Sequence, residues 1–163
     1  MAETRFPGFA DPVLDAQASF RAVLEAMSRP GRVLRVPAPP EVPPGLSPAA
    51  GAVLLALVDA DTRLRIAAGP EAEAWVRFHC GCPVVAEGAD FVLDPAAALL
   101  SLEAGTEEEP ERGATLILEV ASLAEGAGWV LAGPGIRDRH LLRVEGAPAG
   151  FLADWAASQA RFP

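Results

Sequence analysis

Apolar residues recur at helical spacing from Val13 through Ala16, Phe20, Val23 and Leu24 to Met27. Asp11 followed by Pro12 supplies a cap and a favoured first residue, and Pro30-Gly31 supplies a stop. Gln17, Arg21 and Glu25 share a second face at four-residue steps. This predicts a first helix with Val13, Ala16, Phe20, Val23, Leu24 and Met27 on one apolar face. Residues 32–36 mix polar and apolar positions as a half-buried strand would. Six prolines between residues 37 and 48 then predict a surface loop, because proline lacks a donor N–H and fixes φ.

Ser47-Pro48 repeats the start signal. Residues 49–58 are apolar nearly all round, which predicts a deeply buried second helix closed by Asp59-Ala60-Asp61-Thr62. Arg63-Leu64-Arg65-Ile66 reads as a strand. A third helix follows Gly69-Pro70 to about Phe78, bracketed by Gly81 and Pro83. Short apolar runs at Pro83-Val84-Val85 and Phe91-Val92-Leu93 predict strands, and Asp94-Pro95 opens a short helix to Leu102. Glu107, Glu108, Glu109 and Glu111 mark a solvated loop.

Residues 114–120 are apolar on both faces except at Thr115 and Glu119, which predicts a central strand. Gly126 to Gly128 predicts a turn, with residues 129–131 as the hairpin partner of that strand and residues 141–144 as another strand. Residues 151–162 predict a final helix with Phe151, Leu152, Trp155 and Phe162 on or near its inner face. Strands alternating with helices predict an α/β fold: a three-layer arrangement with a mixed β-sheet flanked by helices. The 163 residues suit a single domain, 1–163.

Composition changes this picture in three ways. The hydrophobic fraction is 51%, and the 15 glycines raise the apolar share to about 60%, above the about 45–50% of ordinary domains, so either a partner interface or an alanine-rich composition accounts for it. The net charge is −9, with 22 acids against 13 bases and no basic run. Nucleic-acid binding leans on clustered cations, so no nucleic-acid partner is expected. No segment approaches the roughly 20 apolar residues of a membrane span, and the acidic N-terminus has no signal pattern. The expected compartment is the cytoplasm.

All 13 bases are arginine. Without Lys, the internal Schiff base of a pyridoxal-phosphate enzyme and the phosphate contact of a P-loop are both closed. The reactive side chains cluster in Arg77-Phe78-His79-Cys80-Gly81-Cys82-Pro83. Three potential ligands there fall short of a structural zinc set, and no third group orients a Cys–His pair. Packing at a helix end is the leading reading of the two cysteines. Arg77 and His79 either bind an anion or contact carbonyls left free at the helix C-terminus. Gly133-Pro134-Gly135, with Arg137, Arg139 and His140 beyond, either cradles phosphate or makes a tight turn; the proline, which removes a donor, favours the turn.

Several segments together resemble one family, the H subunit of carbon–phosphorus lyase. They are Asp15-Ala16-Gln17 with Ser19-Phe20-Arg21 and Leu24 to Gly31; Leu54-Leu55-Ala56-Leu57 with Asp59 and Asp61-Thr62; Arg77-Phe78-His79 with Gly81-Cys82-Pro83; Gly113 to Leu118 through Leu123; and Leu131 with Gly133-Pro134-Gly135-Ile136. Each is common alone. The ordered set is specific and covers nearly the whole chain. The resemblance implies a fold similar to the pyridoxal-phosphate-dependent transferases with the cofactor site lost, hence no cofactor; the residues themselves give no expected metal or catalytic site.

It also implies partnership with the G, I and J subunits in a complex that makes ribose 1-phosphonate 5-triphosphate from ATP and a phosphonate. A homodimer when isolated is implied as well. Arg21, Arg77, His79, Gly133 and Gly135 are the expected anion or partner contacts. Cys80 stands where the family usually has Thr, which argues against an essential ligand. Family members continue into a further strand after Phe162-Pro163, so an unpaired sheet edge is expected here. The alternative is a small-molecule anion-binding enzyme or sensor that uses Arg77 and His79.

Overall fold

Each of the first three helices begins where a proline follows a residue that leaves the helical conformation. In the structure, a computed structural model that describes residues 6–161, α1 spans Pro12–Ser28 and Asp11 Oδ1 accepts from the N–H groups of Val13 and Leu14 at 3.1 and 2.9 Å. Helix α2 spans Pro48–Leu57, with Ser47 Oγ accepting from Ala50 N at 3.1 Å. Caps of this kind are each worth about 1 kcal/mol. Helix α3 spans Pro70–Cys80 and ends at Gly81, whose φ of 70° is the left-handed conformation that closes helices.

Strands β1 (Leu64–Ile66), β2 (Phe91–Leu93) and β3 (Thr115–Leu116) form a parallel sheet in that order. Leu64 pairs with Phe91, and Phe91 pairs with Thr115. Val84 adds one parallel bridge to Leu64. Because side chains alternate along a strand, the sheet has two different faces. Leu64, Ile66, Phe91 and Leu93 join the main core with Leu54 of α2 and Trp75 and Val76 of α3. Val92 joins a smaller cluster with Ala89 and Leu102 on the other side. Trp75 is fully buried, and its indole N–H donates to Pro7 O at 3.2 Å. The N-terminal segment is thereby stitched to the core.

Strands β4 (Ser122–Leu131) and β5 (His140–Glu145) make a separate antiparallel hairpin, and α4 spans Phe151–Gln159. The hairpin is irregular: Glu125 and Trp129 both pair with Leu142, so residues 126–128 bulge out. Gly128 passes so close to the Leu142 carbonyl that a Cβ would not fit. The Trp129 and Phe151 rings stack at 5.6 Å and 12°, joining α4 to the hairpin.

The α/β class holds, as do the three long helices and their caps. Several finer expectations do not. Parallel and antiparallel strands lie in two sheets rather than one mixed sheet. Residues 32–36 form no strand; the Val33 N–H instead meets Glu125 Oε1 at 3.4 Å. Residues 114–120 yield only the two-residue edge strand β3, because the chain leaves the sheet after Ile117 N donates to Val92 O at 2.8 Å. The hairpin partner of residues 129–131 is β5. The segment after Asp94-Pro95 makes a turn and a 3₁₀ helix at Leu99–Ser101. Helix α4 buries none of its residues, and Leu152 and Trp155 are exposed. The reading of Phe162 and the expected sheet edge beyond it lie outside the described residues.

Candidate functional site

Two sequence-distant segments of the family pattern meet at the end of α1. Gly135, at φ 81°, lies against the Ser28 carbonyl and Pro30; Gly31, at φ 95°, lies against the His140 ring and Leu131. A Cβ at either position would overlap those atoms. Both glycines therefore permit a close approach between the helix end and the hairpin, besides allowing positive φ. Glu125 anchors the same junction. Its carboxylate is 3.6 Å from Arg32 Nε and 3.6 Å from His140 Nε2. Gly133 has φ 139° and open space where a Cβ would stand, and Ile136 N donates to Gly133 O at 3.1 Å. That geometry is a tight turn packed on α1.

The second group of candidate residues sits at the end of α3, and its members point to different tasks. Arg77 is exposed and pairs with Glu73 one turn back at 2.8 Å. His79 is half-buried: its Nε2 is 3.1 Å from Phe6 O, and its ring lies edge-on to Trp75 at 5.2 Å and to Phe78 at 5.0 Å. Gly8 passes beside the same ring. His79 thus clamps the N-terminal segment beside the Trp75–Pro7 bond.

Cys80 and Cys82 are free thiols. Burial pushes the Cys80 thiol up to about 12, and Cys82 is also raised by burial. A thiol so disfavoured as thiolate is a poor nucleophile at neutral pH. Among the described residues, no group of three or more His, Cys, Asp or Glu stands together to hold a metal ion.

Among the described residues, the surface has concavities that include the following three. One of about 340 Å³ lies between α4 and the Leu99–Ser101 turn, walled by Phe151 and Trp155 with Arg161 at its rim. One of about 370 Å³ lies on the thinner face of the sheet beside Arg65, whose guanidinium is 3.7 Å from Asp94. The third, about 430 Å³, is a shallow trough between α2 and residues 117–123, where Glu119 accepts from Ser47 N at 2.9 Å. None of the three is lined by Arg21, Arg77, His79, Gly133 or Gly135. Arg77 and His79 do not converge with the Gly133 turn in any of these cavities.

The surface departs from the pattern expected of a lone domain in another way. On α1, Val13, Leu14, Phe20, Leu24 and Met27 are 49–70% exposed. The hairpin exposes Val130 and Leu141, which pair directly across it, and α3 exposes Phe78. The sequence pattern gives α1 an apolar face of six residues, of which Ala16 and Val23 turn inward and the others are exposed. The inward positions are Asp15, Ala16, Ser19, Ala22, Val23 and Ala26, with Ser19 wholly buried. Mostly small side chains let α1 lie close on α2 and leave its largest ones outside. Arg21 belongs to the exposed side of this helix.

Residues 7–163 match the model of the family described as "Bacterial phosphonate metabolism protein (PhnH)". The chain belongs to the PhnH family. A member from Rhizobium meliloti (strain 1021), the "Alpha-D-ribose 1-methylphosphonate 5-triphosphate synthase subunit PhnH", is 35% identical over 164 residues, covering 95% of this chain and 82% of that protein. The "Putative C-P lyase subunit protein HtxG" of Stutzerimonas stutzeri is 33% identical over 149 residues, covering 90% of this chain and 73% of that one. Both names describe subunits.

Proposed function

We propose that this chain is an accessory subunit of a carbon–phosphorus lyase core complex and supports formation of alpha-D-ribose 1-methylphosphonate 5-triphosphate in phosphonate breakdown. The observation that carries the reading is the family match across residues 7–163, together with the naming of both relatives as subunits. The chain contributes shape and contact surface, not reacting groups. Its partners are the G, I and J subunits, and in isolation it pairs with itself. It works in the cytoplasm as a single domain, 1–163, whose fold is similar to that of pyridoxal-phosphate-dependent transferases without the cofactor site.

The five expected site residues divide by placement. Arg21 and Arg77 are exposed beside large apolar side chains and act as rim contacts to partners. His79, Gly133 and Gly135 act inside the chain, holding the surface-bearing elements in position. Rim charges of this kind steer association and choose partners more than they add affinity.

No helix of the described residues is long and apolar enough to cross a membrane. Affinity purification of the tagged chain from cells expressing the other core subunits should recover a stoichiometric complex. Deleting the gene should abolish growth on methylphosphonate as sole phosphorus source. Repeated purification without partners, joined to turnover of a metabolite by the chain alone, would sink the reading.

A further inference from the structure

The two arginines at β1 are satisfied differently. Arg63 donates to Asp90 from Nε at 3.2 Å and from Nη2 at 2.7 Å, so its guanidinium is matched. Arg65 lies deeper, with its side chain 25% exposed against 54% for Arg63. Yet Arg65 Nε is buried and has no hydrogen-bond partner among the described residues. Its ion pair with Asp94 stands at 3.7 Å from Nη2, beyond hydrogen-bond reach. A buried N–H left unmatched is costly, and native chains keep few of them.

The strand register decides where this donor lies. Arg65, Val92 and Leu116 are partners across β1, β2 and β3, so their side chains share the thinner face of the sheet. The cavity of about 370 Å³ opens on that face. Val92 and Leu102 give it an apolar wall, and Arg65, Glu87, Ser101 and Glu103 give it polar groups. Its size is at the small end of ligand-binding cavities. Charge narrows the choice of occupant. One guanidinium, with Asp94 beside it, shares the site with the Glu87 and Glu103 carboxylates. A simple anion drawn to Arg65 meets three carboxylates, and a simple cation drawn to the carboxylates meets the guanidinium. A molecule that carries both charges satisfies both.

We propose that this cavity binds a small zwitterion. Its oxyanion group, a carboxylate or a phosphonate, accepts from Arg65 Nε, and its ammonium group faces Glu87 and Glu103. A guanidinium edge offers such an oxyanion two parallel N–H bonds, and the long contact with Asp94 leaves them available. Ser101 Oγ donates to Ala98 O at 2.7 Å, which leaves the hydroxyl oxygen as an acceptor for the ammonium. The site binds and asks for no reacting group. It is independent of the subunit reading, and its failure leaves that reading untouched.

The Arg65 Nε–H group gives its own signal in a proton–nitrogen NMR spectrum, identified by its loss in Arg65→Lys. The test is titration of the full chain near neutral pH with β-alanine and, separately, with 2-aminoethylphosphonate, to about 20 mM each. Both should shift that signal and the Gly88 and Glu103 amides saturably, with dissociation constants of about 1 mM or tighter. The tighter of the two identifies the oxyanion. Propionate, methylphosphonate and ethylamine carry one sign of charge only and should bind at least about 10-fold more weakly. Arg65→Lys keeps the charge but loses the fork, and should weaken the zwitterions by about 10-fold or more. Glu103→Gln should weaken them by a similar factor without weakening methylphosphonate.

Thermal melts accompany both variants. Glu103 is exposed, so Glu103→Gln should melt as the wild type does and carries the test alone if Arg65→Lys does not fold. No shift of the Arg65 signal with either zwitterion overturns the proposal. So does propionate or methylphosphonate binding as tightly as the zwitterions, or full affinity in a folded Arg65→Lys or in Glu103→Gln.

Discussion

Replacing Gly135 by Ala tests whether the glycine turn is packing or a ligand cradle. The built-in control is Gly133→Ala. Both glycines have positive φ, 81° and 139°, so both alanines bear backbone strain of about 1–2 kcal/mol. Both also gain about 0.4–1 kcal/mol from a less flexible unfolded chain. Only Gly135 adds a clash, against the Ser28 carbonyl and Pro30, while Gly133 faces open space. A backbone carbonyl has no rotamer by which to escape, so overpacking adds about 1–3 kcal/mol. The expected losses are therefore about 3 kcal/mol for Gly135→Ala and about 1 kcal/mol for Gly133→Ala. For a chain of this size, these correspond to falls in melting temperature of about 6–12 °C and about 2–4 °C. Urea denaturation followed by circular dichroism, run beside thermal melts, reads the difference. Equal losses for the two variants would refute the close approach of the hairpin turn to the end of α1.

Trp75→Ala should cost about 3–5 kcal/mol, since it empties a fully buried site and orphans the Pro7 carbonyl; a loss below about 1 kcal/mol in urea melts would contradict that burial. Cys80 should resist a disulfide reagent at pH 8 in the native protein and react at once in denaturant. Its thiol is pushed up to about 12 from 9.0, so the unfolded chain releases the proton first as pH rises. Stability should then fall between about pH 9 and 12, by at most about 1.4 kcal/mol per unit, and Cys80→Ala should flatten that slope in pH-dependent melts. Arg77→Ala should change stability by less than about 0.5 kcal/mol, because it breaks only an exposed pair with Glu73. Calorimetry with ATP and methylphosphonate on the isolated chain should show no heat that depends on Arg77; micromolar binding lost in this variant would favour the anion-site alternative.

The helix starts were legible because each is written locally. Asp11-Pro12, Ser47-Pro48 and Gly69-Pro70 satisfy or remove orphan donors within a few residues, and the structure begins its three long helices there. The absence of Lys was equally plain, and it closes Schiff-base chemistry whatever the fold. The family was legible from ordered segments such as Arg77-Phe78-His79 and Gly133-Pro134-Gly135. Their roles were not. His79 had to be seen against Phe6, and Gly135 against Ser28, to read as clamps.

Strand pairing was the weakest reading. An apolar run such as residues 114–120 says that it wants burial, but not against what; only the folded chain decided that β3 stops after two residues and that β4 pairs with β5. The same ambiguity governed α1. Its sequence determined an amphipathic helix with its largest residues beside a side of mostly small ones. Which side turns inward depended on α2, an alanine-rich helix that a neighbour of small residues can approach closely. Local hydrogen bonding is encoded residue by residue. The direction in which an apolar face points is a property of what lies opposite it, and that exists only once the chain has folded.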